Sequence, residues 1–252
     1  MARFRAGRVR PHMTPAPVLS IAEDAETLAG QAARFIAAHL SDARARFSLC
    51  LSGGATPKRI YELLGAGDLG VLPDWRKLHL FWGDERFVPM DHQDSNFRMA
   101  REALLDHVPI PPSQIHPILT GTGTPETAAA DYEETLQSFY GSKTLDLERP
   151  LFDVTMLGLG EDGHIASLFP GTKALGERGA WAAAIIGAKP EPRISLTYPA
   201  LESSGLILFI VSGAKKRNIL ARVLTNDLTL PASHVATRGT IHIFADRAAL
   251  PD

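Results

Sequence analysis

The chain has a single cysteine, Cys50, in 252 residues. One thiol closes no internal disulfide, which excludes a stapled secreted scaffold and fits a reducing compartment, the cytoplasm. Neither sign of charge is in excess: 26 Lys and Arg stand against 28 Asp and Glu, a formal −2. Aromatics are sparse at 7%, and none interleave with basic residues. A nucleic-acid partner therefore lacks both an electrostatic footprint and a stacking platform. No apolar run approaches the roughly 20 residues a membrane-spanning helix needs, so no membrane partner is expected. The HExxH, GxSxG and GxxxxGK[ST] motifs and Cys/His metal spacings are all missing.

The neutral total hides an asymmetry. Residues 1–13 hold Arg3, Arg5, Arg8 and Arg10 and no acid; taking those four from 26 leaves 22 basic against 28 acidic groups, or −6 for the rest. Residues 1–17 have no apolar core of a signal peptide and read as a disordered tail. A targeting segment, or an extension ahead of a start at Met13, are the other readings.

Residues 18–252 read as one catalytic α/β domain. Apolar strands are predicted at Val18–Ala22, Phe47–Leu51, Lys77–Trp82 and Phe152–Leu157, and in RISLT, LILFIVSG and TIHIFAD. Helices are predicted over Asp24–Leu40, from Pro57 through KRIYELL, after Ser95 as cap, over Thr124–Tyr140 behind a capping-box-like TPET, and in AKKRNILARVL. Near-continuous apolar strands alternating with helices imply a largely parallel sheet covered on both faces. The stretch from Pro109 to Pro125 reads as a long surface loop.

In such sheets ligands bind beyond the carboxyl ends of the strands. Four strand ends here are rich in glycine and polar groups: SGGATP (Ser52, Gly53, Gly54), GDER (Asp84, Glu85, Arg86), GLGEDGH (through Asp162 and His164) and SGAKK (Lys215, Lys216). Glycines bring backbone N–H groups close to an anion, and a following helix N-terminus adds its dipole. SGGATP by itself also fits a plain tight turn. Two lysines at a helix start oppose that dipole, a conflict an anionic ligand removes and solvent also relieves. Asp84 and Glu85 read as acid–base groups or as structural ones. Arg193, before ISLT, reads as a phosphate contact or a strand flank.

GLGEDGH contains a GxGxxG in Gly158, Gly160 and Gly163. A dinucleotide fingerprint requires an acid about 20 residues on at the tip of a strand. Only Glu177 is near, in the loop-like LGERGA, and Asp162 would crowd a pyrophosphate. Of nine histidines, His79 and His242 lie in strand patterns; His12, His39, His92, His107, His116 and His234 fall on helix ends, loops or the tail. His164 alone sits in a glycine-rich strand-end loop beside a carboxylate, where an imidazole can take a proton from water near neutral pH. A loop-bracing histidine is the plain alternative. Cys50, inside an apolar strand, reads as a buried inert thiol.

Taken together, SGGATP, FWGDERFVP with DSNFRMAREALL, MLGLGEDGHIASLFPG and VSGAKKRNIL resemble the glucosamine-6-phosphate isomerase/6-phosphogluconolactonase family, in its lactonase branch. The similarity runs in order from about Ser20 to Asp246. It implies the ribose-5-phosphate isomerase/glucosamine-6-phosphate deaminase type of fold. It also implies hydrolysis of 6-phospho-D-glucono-1,5-lactone to 6-phosphogluconate in the oxidative pentose phosphate pathway, with no organic cofactor and no obligatory metal. The expected partner is that phosphosugar lactone, and the expected assembly a monomer or small homo-oligomer. By resemblance, His164 is the catalytic histidine and Asp162 its acid, orienting either the ring or the loop. Ser52, Gly53 and Gly54 cradle phosphate, Lys216 completes a G-x-x-K pattern with Gly213, and Arg86 and Arg193 contact phosphate or substrate. Backbone N–H groups of Gly158–Gly163 are the expected oxyanion donors. The deaminase branch resembles DGHIAFNEP, with a glutamate five residues after the histidine; here that position is Phe169. A non-catalytic phosphosugar sensor is the third reading, whose signature would be loss of His164.

Overall fold

A computed structural model describes residues 16–70 and 73–251; most of the basic tail lies outside them. The strands are β1 (Val18–Ala22), β2 (Phe47–Leu51), β3 (Leu78–Trp82), β4 (Asp84–Arg86), β5 (Ile115–His116), β6 (Phe152–Gly158), β7 (Ala182–Ile185), β8 (Arg193–Leu196), β9 (Ser204–Val211) and β10 (Thr240–Asp246). The α-helices are α1 (Ala25–Asp42), α2 (Ala55–Ala66), α3 (Asn96–Ala100), α4 (Pro125–Tyr140), α5 (Tyr198–Glu202) and α6 (Arg217–Leu224). Seven strands form one parallel sheet in the order β1-β10-β9-β6-β2-β3-β5, and a second, antiparallel sheet runs β4-β8-β7.

The central strands are apolar on both faces because both faces are covered. Every residue of β2 is buried, and β6 and β9, next in the sheet, are buried over most of their length, with Asp153 and Gly205 exposed. On α1 the buried residues Leu28, Ala32, Ile36 and Leu40 recur at helical spacing, and Asp24 caps it by accepting the Thr27 N–H at 2.8 Å. The capping box of α4 closes between Thr124 and Thr127. Two strand ends are tied to helices by the same device. The Tyr61 hydroxyl of α2 accepts from Ser52 N–H and donates to Ser52 C=O, and Tyr132 of α4 does the same for Trp82.

Three strands escape the sequence pattern. β4 is three charged residues, β5 only two residues, and β7 is an alanine run without β-branching until Ile185. RISL, expected in the parallel sheet, instead pairs antiparallel with β4 and β7. The segment expected as a surface loop holds a 3-10 turn at Pro112–Gln114 and the edge strand β5, which places His116 in the sheet. Lys215 and Lys216 lie in a 3-10 turn, Ala214–Lys216, and α6 itself starts at Arg217.

Candidate active site

The four strand-end loops meet at the carboxyl edge of the parallel sheet, with β4 and β8 closing one side. They enclose an open cavity of about 570 Å³. Ser52, Gly53 and Gly54 line it from the end of β2, Asp84 and Arg86 from β4, Asp162 and His164 from the loop after β6, Arg193 from β8, and Lys216 from the turn after β9. Lys215 and Glu85 do not line it. Side chains that sequence reasoning passed over also reach the cavity, among them Asn96, Lys189 and Thr56.

Ser52 is fixed by Tyr61, and its hydroxyl accepts the Gly158 N–H at 3.3 Å, joining the ends of β2 and β6. Helix α2 starts behind Gly54 with no side-chain cap, so its first N–H groups point at the cavity mouth with the positive end of the helix dipole behind them. Gly53 has a packing reason: a Cβ there would stand 2.3 Å from Asn96 Oδ1. Asn96 is in turn clamped, its side-chain amide donating to Asp84 C=O at 2.9 Å.

The acidic pair of GDER divides its labour. Glu85 is 1% exposed, and its carboxylate receives the Ser95 hydroxyl and the backbone N–H groups of Arg86, Asn96 and Phe97. Burial pushes this carboxyl above its ordinary range although those donors pull the other way. With its lone pairs committed, Glu85 is the anchor of α3. Asp84 accepts the Ser167 hydroxyl at 2.6 Å and stays at the cavity wall.

His164 is held on two sides. Its Nδ1 lies 2.5 Å from Asp162 Oδ1, which also accepts the His164 N–H at 3.1 Å. The Phe169 ring packs on the imidazole with centroids 4.5 Å apart. Partial burial would raise the Asp162 carboxyl, but the hydrogen bonds from His164 outweigh it and hold the group below the usual carboxylate range. An ionised Asp162 only accepts, so Nδ1 carries the hydrogen and Nε2 keeps a lone pair. Gly160 makes room for the pair: a Cβ there would stand 2.0 Å from His164 Nδ1. Two residues on, Ala166 takes φ +46, a left-handed backbone uncommon without glycine.

Arg86 and Arg193 are direct cross-strand partners in the β4–β8 pair. Like charges so placed repel. One Arg193 nitrogen donates to Glu191, one Arg86 nitrogen to Asp94 C=O, and the Nε of each is buried without a partner among the described residues. An anion between the two guanidinium groups would relieve the repulsion and occupy those donors. The turn after β9 behaves differently from expectation. The Ser212 hydroxyl and Gly213 N–H both donate to buried Asp246, so the glycine's N–H is committed within the turn, which brings Lys216 to the cavity. Among the described residues, no three His, Cys, Asp or Glu side chains cluster as metal ligands and no helix is long and apolar enough to cross a membrane.

Known proteins share this chain and shape. A family model described as "Glucosamine-6-phosphate isomerases/6-phosphogluconolactonase" matches residues 23–243. A protein from Nostoc sp. named 6-phosphogluconolactonase is 43% identical over 208 residues, 81% of this chain and 83% of its own. The crystal structure of 6-phosphogluconolactonase from Thermotoga maritima superposes with a TM-score of 0.78 at 29% identity, over 92% of this chain and 100% of that one. A monomeric glucosamine-6-phosphate deaminase, 20% identical, shares the fold with a TM-score of 0.77 over 92% of this chain and 98% of its own.

Proposed function

The chain belongs to the glucosamine-6-phosphate isomerase/6-phosphogluconolactonase family, and from that premise we propose that it hydrolyses 6-phospho-D-glucono-1,5-lactone to 6-phosphogluconate. The observation that carries the reading is the Asp162–His164 pair, with a free Nε2, in a cavity lined by Lys216, Arg86 and Arg193. Nε2 takes a proton as water attacks the lactone carbonyl. The tetrahedral intermediate then collapses, the bond from C1 to the ring oxygen breaks, and His164 returns the proton to that oxygen. General base catalysis of this kind contributes roughly 10²–10⁴-fold. Asp162 holds the tautomer and stabilises the imidazolium. The helix α2 N-terminus, Lys216 and the two arginines hold the phosphate, so that distant binding fixes the carbonyl beside the base.

The deaminase reading needs an acid–base group where this chain has Phe169, a ring with no proton to exchange, and the sensor reading needs no base where His164 stands. The enzyme is a hydrolase of carbohydrate metabolism whose partner is a small phosphosugar. We place it in the cytoplasm, as its single buried thiol suits. Following 6-phosphogluconolactone decay beside ammonia release from glucosamine 6-phosphate tests the reading: lactone decay accelerates and ammonia does not appear. Ammonia release without lactonase activity would overturn it.

A further inference from the structure

Attack on a lactone carbonyl puts a full negative charge on the carbonyl oxygen, beside the base. The loop that carries His164 has already committed several of the N–H groups that could meet that charge. Its Gly158 N–H donates to Ser52 Oγ, Gly160 N–H to His164 C=O, and Gly163 N–H to Gly160 C=O. The His164 N–H is itself given to Asp162. Three of the six expected oxyanion donors, those of Gly158, Gly160 and Gly163, are thus spent on holding the loop in shape.

The cavity supplies a cation at the same end. Lys189 lies on the connection between β7 and β8, behind Gly187 and before Pro190. Its Nζ stands 5.0 Å from the centroid of Phe169, the ring that packs on His164. It also lines, together with Asp162 and Phe169, a second cavity of about 720 Å³ adjoining the first. Lys189 thus borders both cavities, as Asp162 does, and its ammonium has no ion pair or hydrogen bond among the described residues. The other cations are differently placed: Arg86 and Arg193 face each other and are tethered to Asp94 and Glu191, and Lys216 approaches from the turn after β9.

We propose that Lys189 is a catalytic residue that receives the lactone carbonyl oxygen, stabilising the oxyanion as it forms and holding the carboxylate of the product. The assignment rests on the lactonase reading. Lys189 moves no proton. As the water oxygen bonds to C1, the carbonyl π pair moves onto the oxygen facing the ammonium. When the bond from C1 to the ring oxygen breaks, that pair returns to the carbonyl. A cation here serves the transition state more than the neutral carbonyl, which is where a donor accelerates chemistry.

Three purified proteins test it: wild type, Lys189→Met and Lys189→Arg. Lysine 189 is exposed, so both variants keep the fold. Loss of an oxyanion donor costs about 10²-fold in kcat, and Lys189→Met is expected to show that loss with KM little changed, partly restored in Lys189→Arg. Binding is measured with 6-phosphogluconate and with glucitol 6-phosphate, which shares the phosphate and lacks the carboxylate. Lys189→Met weakens the first by about tenfold, as a lost charged hydrogen bond does, and leaves the second unchanged. Wild-type kcat in Lys189→Met, or equal weakening of both ligands, would overturn the assignment, the latter making Lys189 a phosphate contact. An inactive wild type would sink the lactonase reading instead, and the ligand pair would still decide whether Lys189 faces a carboxylate.

Discussion

At the scale of single residues, the site depends on two close approaches. His164 and Asp162 fit only because Gly160 has no side chain, and Gly53 yields its Cβ space to Asn96. Gly160→Ala would push the Asp162–His164 pair off its geometry. Displacing a catalytic group by about 1 Å costs on the order of 10²-fold, so kcat is expected to fall by at least that much while the melting temperature barely moves. His164→Ala is expected to abolish turnover and keep phosphosugar binding, whereas Lys216→Ala chiefly raises KM. Steady-state kinetics beside calorimetric titration with 6-phosphogluconate separates the two, and full activity in the His164 variant would remove the proposed base. His164, Asp162 and Lys216 were legible in the sequence because each stands in a glycine-rich run directly after an apolar strand. Lys189 was not, since it follows an alanine strand with no strand-like signature, and no spacing shows that the ring of Phe169 joins it to His164. Glu85 was legible only as an alternative between chemistry and structure; the four donors on its carboxylate decide for structure.

At the scale of elements, the parallel sheet could be read from its apolar runs, while the second sheet could not. β4 and β8 lie over a hundred positions apart, and only their pairing makes Arg86 and Arg193 neighbours. The edge strand β5 carries a different liability. His116 Nε2 lies 3.2 Å from His79 Nδ1, and burial, followed by the neighbouring His79, depresses His116 to about 4 from 6.5. Burial, with Arg46 nearby, lowers His79 as well. A base depressed in the folded state binds its proton first when unfolded. Stability is therefore intact above about pH 6.5 and lost as pH falls towards 4. His116→Gln is expected to flatten that acid limb in thermal unfolding, and an unchanged limb would show that β5 does not govern it.

For the whole molecule, the two ends of the sheet have separate duties. The carboxyl end holds the site, and the amino end holds Glu202, which closes α5 just ahead of β9. Burial raises the Glu202 carboxyl to about 7 from 4.5, although the Ala236 N–H and Arg178 pull it down. An acid raised in the folded state is costless while protonated and destabilises as pH climbs from 4.5 through 7. Glu202→Gln should thus melt higher than wild type above about pH 7, match it below 4.5 and keep its kcat throughout. A fall in kcat would mean that the two ends are coupled. The domain's −6 balance, set beside four cations around one cavity, shows that attraction for a phosphosugar is local and not a property of the surface.

The facing arginines reach beyond capture of the substrate. Hydrolysis converts a neutral ring into a carboxylate, so the product leaves with one more negative charge than the lactone brought in. A pocket whose guanidinium groups stay fixed opposite each other, with two lysines beside them, retains that extra charge more firmly than it welcomed the reactant. The same geometry that gathers the lactone lets accumulated product compete for the pocket, an inhibition that added salt relieves.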